Sequence, residues 1–387
     1  MAPVRISRRD LLRRTAFGVA LTGVVPSLVE GTLAAGRSEP RVGADARRLD
    51  FPIRLTSNCN AYGPSGRVTA AMRAAIRASE LDARKESDLL RDQIASAHRV
   101  RREELVVAGG SSRLLRMAVS AFLTPGKTLI TAAPTFEVIS RYATSLNREV
   151  VNIPLTPNYA HDLDAMLSCC DSTTGLVYIC NPNNPTGTLT PRRDLEAFVA
   201  KLPATTHVVI DEAYHHYVDG AADYRSFIDY PIRDQRVIVT RTFSKICGLA
   251  LHRIGYAVAR PDVAGRLEAH RTPEGIDPVA SRAAMAALAD TEYLRASRMR
   301  NADDRQEFFN QANARMARWI DSQTNFVMLD ADRPAEQVVA HFESHRILLP
   351  KPYARFEKYV RVSLGTPAEM QEFWRVWGLM PGGGHHH

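Results

Sequence analysis

From Leu105 onward the chain switches repeatedly between short apolar runs and stretches with apolar residues at helical spacing. This is the pattern of a parallel sheet covered by helices. The apolar runs predict buried strands over 105–108, 128–132, 150–153, 175–180, 207–211, 236–240 and 254–259, with helices over 112–122, 136–146 and 192–201 between them. Seven such strands in one stretch describe a large α/β domain with a mostly parallel seven-stranded sheet, assigned to residues 65–277. After Pro278 long helices are predicted over 279–290 and 292–321, then short strands over 326–329 and 359–364 with a helix over 335–345 between them. That mixture reads as a smaller α+β C-terminal domain over 278–380. Residues 36–64 are left as an N-terminal arm and 381–387 as a tail.

The first 35 residues do not follow this rhythm. Ser7-Arg8-Arg9-Asp10-Leu11-Leu12 precedes a mildly apolar stretch from Ala16 to Val29, and Thr32-Leu33-Ala34-Ala35 then supplies the small residues a signal peptidase needs. The segment resembles a twin-arginine export signal, which implies a periplasmic destination and a passenger folded before export. The other reading is a cytoplasmic protein with a basic tail. A stable membrane anchor is not expected, because Gly18, Gly23 and Pro26 interrupt an apolar run already shorter than the roughly 20 residues a span requires.

Composition adds little beyond this. Of 387 residues, 45% are apolar and 24% charged, as in an ordinary globular protein. The net charge of +8 invites a nucleic-acid reading, but five arginines against Asp10 and Glu30 in the first 35 residues carry three of those charges. The rest of the chain has no long Lys/Arg run, so nucleic acid is not an expected partner. Five cysteines form no C-x-x-C pair, and Cys169-Cys170 reads either as a vicinal disulfide or as two thiols. The adjacent His215 and His216 should point apart, and His341 with His345 lacks a third ligand, so no metal is expected.

Three polar clusters follow predicted strands: Asn181-Pro-Asn-Asn184-Pro-Thr-Gly187, Asp211-Glu-Ala-Tyr214 and Thr242-Phe-Ser244-Lys245. Ligands of an open parallel sheet bind beyond the carboxyl ends of its strands, so these clusters should converge on one crevice. Gly109-Gly110-Ser111-Ser112 leads into a helix, an arrangement suited to a phosphate. No G-x-G-x-x-G follows the first strand, which argues against a dinucleotide dehydrogenase.

With Asp211 lying 27 residues after Asn184 and Lys245 lying 34 after Asp211, the chain resembles the fold-type-I, pyridoxal-phosphate-dependent aminotransferases of class I/II. The resemblance is greatest to the histidinol-phosphate aminotransferase branch and runs from about Ile53 to Trp377. It implies pyridoxal 5'-phosphate as cofactor, amino acid and 2-oxo acid as substrates, and a homodimer. It also implies that Lys245 forms a Schiff base with the cofactor and acts as base, while Asp211 keeps the ring nitrogen protonated. Tyr214 and Asn184 match the residues that bond the phenolic oxygen, and Phe136 matches the aromatic stacked on the ring. Gly110, Ser111, Ser112, Thr242, Ser244 and Arg253 match the phosphate contacts. Arg361 matches the arginine of the substrate carboxylate, and Asn58 and Tyr62 lie in a stretch similar to the family's substrate-side N-terminal segment.

Some positions depart from that branch. Ser111-Ser112 replaces an acidic pair, Cys59 and Ala61 stand where Glu and Pro are usual, and Lys85 stands where a tyrosine reaches the neighbouring subunit. Pro350 falls at the place of the arginine for a substrate phosphate, with Lys351 and Arg355 as nearby substitutes. These departures speak against histidinol phosphate as substrate. The rival readings are a pyridoxal-phosphate-dependent lyase, decarboxylase or cyclase, and a non-catalytic binding protein on the same scaffold.

Overall fold

The computed structural model describes residues 52–380 except 79, 232–233 and 272–274, so the predicted export signal lies outside the described residues. The first strand is short: β1 (Ile53–Arg54) pairs in parallel with β11 (Ile347–Leu348). The main sheet holds β2 (Leu105–Ala108), β3 (Thr128–Ala133), β4 (Val150–Pro154), β5 (Thr174–Cys180), β6 (His207–Asp211), β7 (Val237–Thr242) and β8 (Gly255–Val258). Their spatial order is β2-β8-β7-β6-β5-β3-β4, and β8 runs antiparallel to both its neighbours while the other pairs are parallel.

The central strands are buried along nearly their whole length because both faces are covered. Val177, Ile179, Val208, Ile210, Val237 and Val239 pack into one cluster, whereas Leu176, Tyr178, Cys180, Val209 and Ile238 pack into the other. Alternate residues therefore enter opposite layers, as the two-residue period of a strand requires. The helix Ser111–Phe122 lies over the second layer and buries Leu114, Leu115, Met117, Ala118 and Val119.

A three-stranded antiparallel sheet orders β12 (Tyr359–Ser363), β10 (Phe326–Asp330) and β9 (Trp319–Ile320). Helices Ala335–Ser344 and Pro367–Trp377 contribute Phe342, Phe373 and Trp374 to its core. The helix expected over 292–321 is shorter than predicted. It runs Thr291–Asn313, after which Met316 takes a positive φ of 53° and the chain turns into β9. Helices Gly66–Arg77 and Ala83–His98 were not anticipated. Of the histidines, His215 Nδ1 lies 3.0 Å from the Tyr224 hydroxyl, and His341 Nε2 lies 3.0 Å from the Val376 carbonyl.

Candidate active site

β5, β6 and β7 are parallel neighbours, so their carboxyl ends meet along one edge. In register, Cys180 lies opposite Asp211 and Asp211 opposite Thr240, which brings the three polar clusters together. They line a cavity of about 260 Å³ with Ser57, Asn58, Ser111, Ser112, Phe136, Asn184, Asp211, Tyr214, Thr242, Ser244, Lys245, Arg253 and Arg361. A roomier cavity of about 540 Å³ beside Pro134 and Arg355 is lined by neither a buried acid nor a lysine. The chemistry therefore points to the smaller one.

Lys245 sits just past β7. Its Nζ donates to the Ser57 carbonyl at 2.9 Å and lies 5.3 Å from the centre of the Tyr214 ring. Burial lowers its amine to about 8, below the ordinary lysine range, so the neutral fraction near neutral pH is larger than for a solvated lysine. Asp211 ends β6 and is 1% exposed. Its carboxylate accepts from the Tyr178 hydroxyl at 3.0 Å and the Ala213 amide at 3.1 Å. Both donors are neutral, and burial raises its pKa to about 6 in spite of them.

At the other end, Gly110 caps the helix Ser111–Phe122 with φ 95° and ψ 156°, conformations open to glycine. A Cβ at Gly110 would sit 2.4 Å from Nη2 of Arg253. The glycine thus admits the guanidinium to the helix start, where free amides and the positive end of the dipole attract an anion. Arg253 Nη1 donates to Ser244 Oγ at 3.3 Å, and Thr242 Oγ1 donates to the same oxygen at 2.9 Å.

On the substrate side, Arg361 of β12 is buried and donates from Nη1 to Asn184 Oδ1 at 2.6 Å. Its Nε is buried without a hydrogen-bond partner, which a carboxylate would supply. Asn184 and Asn58 both donate from Nδ2 to the Tyr214 oxygen, at 3.4 and 3.0 Å.

This set fits a phosphorylated pyridine aldehyde. Among the described residues no cation forms an ion pair with Asp211, and a protonated ring nitrogen would supply one. Lys245 offers an amine, Tyr214 a hydroxyl, and the cup of Ser111, Ser112, Ser244 and Arg253 suits a phosphate.

Of the expected residues, Gly110 and Tyr62 are absent from the cavity lining; Gly110 still adjoins the site beside Arg253, whereas Tyr62 lies elsewhere. Tyr62, predicted on the substrate side, donates its hydroxyl to Asp304 at 3.0 Å, with Arg300 4.4 Å above its ring. Left-handed Asn58 (φ 53°) and Gly63 (φ 72°) bend the arm, and the turn sends Tyr62 toward the helix Thr291–Asn313. Ser57, Cys180 and Ala213 line the cavity without having been predicted, and the contact from Tyr178 to Asp211 was not predicted either. Cys180 and Ala213 adjoin motif residues, so adjacency at strand ends was an available signal.

Residues 52–376 match the family described as aminotransferase class I and II. A histidinol-phosphate aminotransferase of Bacillus subtilis is 34% identical over 329 residues, 85% of this chain and 91% of its own. Histidinol-phosphate aminotransferase 2 of Ralstonia nicotianae is 35% identical over 332 residues, covering 84% and 87%. The crystal structure of histidinol-phosphate aminotransferase from Sinorhizobium meliloti, in complex with pyridoxal-5'-phosphate, is similar at a TM-score of 0.78 and 28% identity. That match covers 86% of this chain and 91% of the other.

Proposed function

We propose, from the premise that this chain belongs to the class I and II aminotransferases, that Lys245 is its catalytic amine. The enzyme is a pyridoxal-phosphate-dependent aminotransferase, and its substrates are an L-α-amino acid as donor and a 2-oxo acid as acceptor. Bound pyridoxal phosphate supplies an aldehyde for the amine and a ring that accepts the electron pair released at the substrate α-carbon. Asp211 holds a proton on the ring nitrogen, and Phe136 packs the ring. Ser111, Ser112, Ser244 and Arg253 anchor the phosphate. Lys245 Nζ takes the α-proton and returns it, a role suited to an amine whose pKa burial lowers to about 8. Arg361 orients the donor by its carboxylate, so that the bond to hydrogen is the one that breaks.

A single observation carries this reading: Lys245 and Asp211 line one small cavity with Tyr214 and Arg361. Borohydride reduction tests it. The loaded wild type should retain a covalently attached chromophore and Lys245→Ala should not; attachment in the variant overturns the assignment.

The substrate reading favours an amino acid over histidinol phosphate, the compound named for the relatives. The buried, unpaired Nε of Arg361 suits a carboxylate, and Pro350 supplies no cation. Half-reactions with single amino acids and with histidinol phosphate separate the two.

The active assembly is proposed to be a homodimer, checked by light scattering. Export by the twin-arginine route rests on Ser7 to Leu12 and on Thr32 to Ala35. Cell fractionation with Arg8 and Arg9 changed to lysine tests it, because a folded passenger should then stay in the cytoplasm.

A further inference from the structure

Arg361 and Ser363 lie two apart on β12 and so share a face of the strand. Each locks one asparagine. Arg361 Nη1 donates to Asn184 Oδ1 at 2.6 Å, which leaves the amide nitrogen of Asn184 free to donate to Tyr214. Ser363 makes two bonds to Asn58: its hydroxyl donates to Oδ1 at 2.7 Å, and Oγ accepts from the backbone N–H at 2.9 Å. That pair of bonds fixes the Asn58 amide with its nitrogen toward Tyr214. It also holds Asn58 at φ 53°, a region that non-glycine residues rarely occupy.

A phenol oxygen has two lone pairs and one proton. With two amide donors directed at the Tyr214 oxygen, the lone pairs are taken and the proton must point elsewhere. The direction left to it is the cavity that Tyr214 lines with Lys245. A flipped Asn58 amide would strip the Ser363 proton of its acceptor and set an oxygen against Tyr214, drawing the phenolic proton out of the cavity.

We propose that Ser363 is a positioning residue for the reaction: by locking the Asn58 amide it directs the Tyr214 hydroxyl proton onto the phenolic oxygen of the bound cofactor. The inference rests on the reading of Tyr214 given above and adds a residue to it.

The test is a pH titration of the absorbance of the cofactor-loaded protein. A donor on the phenolic oxygen favours its anion and holds the proton-linked absorbance change at lower pH. Ser363→Ala should move that change upward by about one pH unit, the size of one hydrogen bond. Ser363→Thr keeps the hydroxyl and should restore the wild-type position. In a Tyr214→Phe background, Ser363→Ala should add no further shift, since the two act through one bond. An unshifted Ser363→Ala, or a shift that persists without the Tyr214 hydroxyl, overturns the proposal. If Ser363→Ala does not fold, Asn58→Gly carries the test: glycine suits the left-handed backbone, the same upward shift is expected, and its absence overturns the proposal. The two readings fail differently. A wild type with no reducible chromophore removes the cofactor site altogether, whereas a loaded wild type with an unshifted variant removes only the role of Ser363.

Discussion

Tyr178 donates its hydroxyl to Oδ2 of Asp211 at 3.0 Å, from one parallel strand to the next, and both residues are almost wholly buried. A neutral donor offsets only part of the cost of desolvating a carboxylate, and the Asp211 pKa stays raised to about 6. The group is therefore held ready for a cation at the expense of the cofactor-free fold.

The sign of the pH effect follows. With a folded pKa of about 6 against an unfolded value near 4, the folded state binds more protons between these limits. Stability of the cofactor-free protein should fall as pH rises through that window, by about 3 kcal/mol for a shift of about two units. Asp211→Asn should abolish this slope and raise the melting temperature of the cofactor-free protein at pH 7, while lowering kcat by about a hundredfold or more. Calorimetry from pH 4 to 7 and steady-state kinetics on the variant check both halves.

Lys245 sets a second pH dependence of opposite direction. Only its neutral amine attacks an aldehyde, and its pKa is lowered to about 8 by burial. The rate at which cofactor-free protein captures pyridoxal phosphate should therefore climb with pH, half-maximal near 8. Stopped-flow absorbance measures this directly. A half-maximum above 10 would mean that Lys245 is as solvated as a surface lysine.

Behind the site, Arg241 is 2% exposed and donates from Nε to Glu212 Oε2 at 3.0 Å, while Glu212 also accepts from the Phe227 amide and Ser226 Oγ. Removing the cation leaves a buried carboxylate next in sequence to Asp211. Arg241→Met should destabilise the fold by about 3–5 kcal/mol, the usual cost of breaking a buried pair from one side. A lowered urea midpoint at constant slope is the expected signature.

How much of this was legible in the sequence depended on the range of the signal. The main sheet was readable because apolar runs such as Leu176–Ile179 are buried on both faces, and the three motifs were readable because parallel strands end together. The end of the helix Thr291–Asn313 was not, since no Gly or Pro marks it and β9 is only two residues long. Tyr62 was misplaced because its partner Asp304 lies 242 positions away and nothing local announces the bend at Asn58. Ser363 was within reach: it follows Arg361 by two positions in a predicted strand, and the strand period alone puts both on one face.

Arg361 gives a prediction that separates binding from chemistry. Its planar fork fits a carboxylate by two parallel bonds, which a lysine cannot copy. Arg361→Lys should raise KM for the amino donor by about tenfold to a hundredfold, with the cofactor still covalently held. Equal loss for donors with and without a carboxylate would show that Arg361 acts only by holding Asn184.

Gly110 and Gly126 form a matched pair for the phosphate end. Both have positive φ, 95° and 81°, so alanine strains the backbone at each. Around Gly126 nothing lies within 4 Å of an added Cβ, whereas at Gly110 the methyl would meet the Arg253 guanidinium at 2.4 Å. Gly126→Ala should therefore cost stability, about 1 kcal/mol, and leave the affinity for pyridoxal phosphate unchanged. Gly110→Ala should cost stability and also push Arg253 out of the cup, weakening cofactor binding tenfold or more, the scale of about one charge-assisted hydrogen bond. Equilibrium dialysis on the two variants tests the contribution of Arg253, with Gly126→Ala as the control for an alanine at positive φ. Equal affinities would mean that the phosphate is held by the helix start and the serines alone.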